Sequence, residues 1–65
     1  MAVTNHIARR AGALAELPMV YALALRLRDE GEPPARIARL LGLEPEAVGP
    51  LLEVATAKLE EILAR

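Results

Sequence analysis

The sequence predicts an all-α fold, a small bundle of four to five helices formed by one domain over residues 1–65. Three observations predict it. Apolar residues recur three and four positions apart along the chain, the spacing that lines one face of a helix. Glycines and prolines fall between these runs, where helices start and stop. In the stretch from Gly31 to Leu51 both signals combine as helix, tight glycine turn, helix. There, Ile37 and Ala38 share one face of a short helix, Leu41 lies one turn beyond Ile37, and Gly42 is placed to adopt a left-handed conformation at the helix end. Leu43 then turns inward. Val48 and Leu51 follow on the inner face of the next helix, and the small Ala38 lets the two helices approach closely. This spacing is that of a helix-turn-helix over about residues 31–52.

The first helix is expected over residues 4–16, with Thr4 as N-cap and Ile7, Ala11 and Leu14 as its inner stripe. Arg9, Arg10 and Ala13 then form its outer face. A second helix, residues 18–30, has Pro18 in its first turn, where a missing N–H costs nothing. Val20, Leu23, Ala24 and Leu27 make one apolar stripe on it, and Tyr21 and Leu25 add a second. A helix apolar over so much of its circumference belongs in the middle of a bundle. Pro33 and Pro34 stiffen the next connector and start the third helix, residues 34–41, with Glu32 placed to cap it.

Gly49-Pro50 shapes the last helix. Inside an uninterrupted helix a proline removes a hydrogen bond and clashes with the preceding turn, at about 3 kcal/mol. A restart is therefore expected: a short turn over Pro45 to Val48, Gly49 as N-cap, Pro50 as first helical residue, and a helix over residues 50–64. Beyond it Leu52, Ala55, Leu59 and Ile62 are spaced as the seam of a helix that pairs with another helix, and Leu63 widens that face. Pro50, Val54 and Ala57 form a second apolar line.

The run Arg26-Leu27-Arg28-Asp29-Glu30-Gly31, followed by Ile37-Ala38, Leu41-Gly42-Leu43 and Val48, resembles region 4 of bacterial sigma factors. Response-regulator output domains share the pattern. The resemblance covers about Leu17 to Leu63 and rests mainly on positions that build the fold. It implies that the second helix of the motif is the one that enters the DNA major groove, through outward residues that are typically basic or polar. Here the matching outward positions are Glu44, Pro45, Glu46, Gly49, Pro50 and Glu53. None is a cation, and a phosphate backbone repels the three carboxylates.

The formal net charge of −1 conceals an uneven distribution. Up to Leu43, six arginines face four acids; from Glu44 onward, Lys58 and Arg65 face Glu44, Glu46, Glu53, Glu60 and Glu61. The half that would touch DNA is the acidic half. At this length only about 60% of the unfolded surface is buried on folding, and with no cysteine the remaining staple is oligomerisation. A hydrophobic content of 54% leaves apolar surface for it. The longest uncharged run, Leu17 to Leu25, is far shorter than the ~20 residues of a membrane span. With no signal-peptide pattern at the start, a cytoplasmic location is expected.

The residue types argue against an enzyme, and no cofactor, metal or small-molecule substrate is expected. His6 has no second His or Cys to complete a metal site, so it reads as solvent-facing. Thr4, Thr56 and Tyr21 are the hydroxyls, and none has a base nearby in sequence. Stacking on nucleobases is not expected either, because Tyr21 is the sole aromatic.

Two functions remain. The preferred one is a transcription-associated module that works through protein–protein contact, as a homodimer or as a partner of the transcription machinery, with Pro50, Leu52, Val54, Ala57 and Leu63 as contact residues. Self-association through the last helix is expected, because one copy cannot bury all of its apolar sectors. The alternative is a DNA-binding regulator of the sigma region 4 type that touches phosphates through Arg9, Arg10, Arg36 and Arg39.

Overall fold

Four helices and one 3-10 turn follow one another in the computed structural model, which describes the backbone of residues 2–65 and the side chains of residues 7–65. They are α1 (Ala2–Ala15), α2 (Met19–Asp29), α3 (Pro34–Leu41), the 3-10 turn (Pro45–Ala47) and α4 (Val48–Leu63). Among the described residues there is no strand, so the fold is all-α.

Proline and glycine set the boundaries. Pro18 and Pro33 occupy the N-cap positions of α2 and α3, with extended backbones. The Pro18 carbonyl accepts from the N–H groups of Tyr21 and Ala22 at 3.0 and 3.1 Å, and the Pro33 carbonyl accepts from Arg36 and Ile37 at 2.9 and 3.0 Å. Neither proline needs the N–H that it lacks. At the other ends, Gly31 (φ +86°) and Gly42 (φ +70°) take left-handed conformations. Each lets the next residue reach back five positions: Glu32 N–H to the Leu27 carbonyl at 3.0 Å, and Leu43 N–H to the Ala38 carbonyl at 2.8 Å. Both are Schellman motifs, which satisfy carbonyls that a helix end leaves without partners.

Three expected caps differ. Helix α1 begins at Ala2, so Thr4 lies inside it and not at its N-cap; the side chains of Thr4 and His6 fall outside those described. Pro33 takes the N-cap of α3, and Glu32 instead pairs with Arg36 one turn on. Helix α4 begins at Val48, which makes Gly49 its second residue and Pro50 its third, with Ala47 at the N-cap. The first N–H groups of a helix have no acceptor within it, so Pro50 is accommodated without a restart at Gly49. The break expected at residues 44–49 takes the form of the 3-10 turn.

The core has two clusters. Ala13, Leu17, Leu25, Ala55 and Leu59 form the larger one, between α1, α2 and α4. Ile37, Ala38 and Val48 form the smaller, between α3 and α4. Leu52 is half-buried and packs against both, which joins them into one interior. The seam read from the last helix is thus engaged within the chain: Ala55 and Leu59 are buried, while Leu52 and Ile62 pack beside them.

On α2 parts of both expected stripes face inward: Leu25 and Tyr21 belong to the larger cluster, Ala24 is buried and Leu27 packs on the smaller cluster, whereas Val20 and Leu23 are 40% and 36% exposed. Helix α1 is turned partly from its expected face: Leu14 of the expected inner stripe packs on the larger cluster, while Ile7 and Ala11 are exposed. Ala13, assigned to the outside, is 4% exposed, and Ile7, assigned to the inside, is 63% exposed. Ala13 thereby shares the larger cluster with Ala55 and Leu59 of α4. Two polar ties on the same side hold the orientation: Arg9 Nη2 donates to the Leu63 carbonyl at 2.6 Å, and Arg10 pairs with Asp29 at 2.8 Å.

Candidate interaction surfaces

Helix α4 presents its outer side to solvent. Pro50, Val54 and Ala57 are exposed along it, next to Glu53, and Glu44 and Glu46 are exposed on the segment that leads into it. Leu52 and Leu63 differ from the other expected contact residues. Both are half-buried and pack on the chain's own core, so they border this face and do not form its centre. The space that one copy offers its apolar residues is larger than face-counting suggests, because α1 and α2 approach α4 from two sides.

Beside this face an open groove of about 770 Å³ runs along α4, with Leu52 and Ala57 as apolar floor and Glu53, Glu60 and Glu61 among its walls. Arg28 supplies the cation. Its guanidinium donates to Thr56 Oγ1 at 3.2 Å and lies 3.3 Å from Asp29. The groove can therefore accept apolar or cationic groups, whereas an anion would meet three carboxylates. Among the described residues no three His, Cys, Asp or Glu side chains converge as metal ligands. No helix among them is long and apolar enough to cross a membrane.

The arginines of the DNA reading are not one patch. Arg9 caps the C-terminal end of α4, where a cation meets unpaired carbonyls and the negative end of the helix dipole. Arg10 ties α1 to the end of α2 through Asp29, and Arg36 pairs with Glu32. Arg39 is exposed and makes no ion pair among the described residues.

A second groove, of about 590 Å³, lies between α1 and α2 and is lined by Leu14, Leu17, Met19, Leu23 and Arg26 with intervening alanines. Sequence reasoning missed it. Leu14 and Leu23 were legible as members of apolar stripes, but Leu17 and Met19 belonged to none, and the periodicity of α2 does not say which members of its two stripes the bundle covers. No protein-family model, curated protein or solved structure matches the chain.

Proposed function

We propose that this chain is a helix-turn-helix module of the sigma region 4 type that acts in or beside transcription by protein–protein contact, as a homodimer, with a partner from the transcription machinery, or both. Helix α3 is then the positioning helix and α4 the former reader. The observation that carries the reading is the exposed row Glu44, Glu46 and Glu53, interleaved with the exposed Pro50 and Val54. Against a duplex these carboxylates meet phosphates of like charge. Against a protein, Pro50, Val54 and Ala57 offer an apolar centre with a charged rim, the usual anatomy of an interface. The link to transcription rests on the resemblance of the motif.

A fluorescence-anisotropy titration of labelled duplexes at low salt tests the first half of the reading. Weak binding that disregards sequence is expected, and nanomolar sequence-dependent binding by the chain alone would overturn it.

A further inference from the structure

The groove along α4, bordered on one side by Arg28 of α2, combines an apolar floor with carboxylates that nothing neutralises. Leu52, half-buried, and Ala57, exposed, make the floor. Glu53, Glu60 and Glu61 stand beside it, all exposed, and none of the three forms an ion pair among the described residues. The cations within reach are engaged elsewhere. Arg28 is held by Asp29 and donates to Thr56, and Lys58, the sole cation of α4, lies 5.9 Å from the centre of the Tyr21 ring and does not line the groove.

Charge selects the occupant. Carboxylates of one sign along an apolar floor attract a cation and oppose an anion. They also decide against a second copy on this face. An isologous contact uses one patch twice, so carboxylates would face carboxylates across it, and like charges opposed in this way exclude a partner. Lysine and arginine suit the floor as well as the rim, because their aliphatic stems lie along apolar surface while the charged heads stay in water.

Spacing gives the occupant's shape. At 1.5 Å per residue Glu53 and Glu60 stand about 10 Å apart along the helix axis, with Ala57 between them. A helix laid alongside has the same rise, so its side chains seven positions apart span the same distance, the repeat by which paired helices keep one face together. We infer that this groove seats a cationic amphipathic helix of a different protein, which sets two lysines or arginines seven positions apart against Glu53 and Glu60 and an apolar side chain between them over Ala57 and Leu52. The inference rests on the protein-contact reading and, for this groove, names a basic partner in place of a second copy.

Titration of the full, isotopically labelled chain with synthetic peptides, followed by amide chemical shifts, tests it. The probe is a stapled peptide helix with two lysines seven positions apart and a leucine midway, and its control carries glutamates in place of the lysines. The lysine peptide should shift residues 53–64 and bind more weakly as salt is added, whereas the glutamate peptide should leave them unmoved. Glu53→Gln with Glu60→Gln should raise the Kd about fivefold or more. Glu44→Gln with Glu46→Gln, on the segment that precedes the groove, should change it by less than about twofold. All four glutamates are exposed, so neither double variant disturbs the core. No shift with the lysine peptide at millimolar concentration, or an equal shift with the glutamate peptide, overturns the basic partner and leaves the protein-contact reading standing, since that reading is judged by the DNA titration. Shifts at residues 53–64 that grow with the concentration of the chain alone assign the groove to a second copy and overturn the inference in the same way.

Discussion

The backbone N–H of Leu43 donates to the carbonyl of Ala38 at 2.8 Å and so closes the turn between α3 and α4. The bond forms because Gly42, between them, sits at φ +70°. With Ala38 itself 2% exposed against Val48 and Ile37, the turn and the smaller core cluster are one unit.

Gly42→Ala should therefore destabilise the chain by about 1–2 kcal/mol, the strain of a left-handed L-residue. A Cβ there meets open space, so the cost is conformational and not steric. Urea unfolding followed by circular dichroism measures it, and an unchanged midpoint would show that the turn relaxes freely.

Leu52 joins the two core clusters, and Val54, two residues on, faces solvent. Leu52→Ala should cost about 2 kcal/mol or more, enough to lower the melting temperature by ~8 °C or more in so small a domain. Val54→Ala should stay within about 0.5 kcal/mol. Equal losses at both positions would contradict the orientation of α4.

The orientation of α1 gives an inverted pair. Ala13→Glu places a carboxylate in the larger cluster and should unfold much of the population, since an unpaired buried charge costs several kcal/mol. Ile7→Ala, at the position that the amphipathic stripe marks as core, should change the stability of a dilute sample by less than about 0.5 kcal/mol. Thermal melts at low micromolar concentration compare the two.

Any residual DNA affinity should depend more on Arg39 than on Arg36, because Glu32 already holds the Arg36 guanidinium. Arg39→Ala should weaken binding equally for all duplex sequences and reduce the slope of log K against log salt by about 1, since a phosphate contact reads no bases. Discrimination between sequences that disappears with Arg39→Ala would assign it a base contact instead.

Arg10 and Asp29 tie α1 to the end of α2 at the surface. A double-mutant cycle with Arg10→Ala and Asp29→Asn should return a coupling of about 0.2–1 kcal/mol that fades with added salt. A larger coupling, insensitive to salt, would mean that the pair is shielded from water.

The local devices of this fold were determined by sequence alone. Gly31 and Gly42 end helices because they can take positive φ, Pro18 and Pro33 precede helices because they need no N–H, and Ile37, Ala38 and Val48 meet because their spacing puts them on facing sides. Each depends on residues close in the chain or on one short turn. The seam of α4 was legible for the same reason, but its partner was not: Leu52, Ala55, Leu59 and Ile62 specify that another helix packs there, and only the tertiary structure decides that α1 and α2 of the same chain do so. It also decided which side of α1 is inside. Ile7 and Ala11 fit the helical period better than Ala13 does, yet of that stripe only Leu14 packs on the core, because period measures amphipathicity and not which part of a face a neighbouring helix covers. The covered side is the one where Ala13 packs in the larger cluster and where Arg9 and Arg10 reach a helix end and a carboxylate.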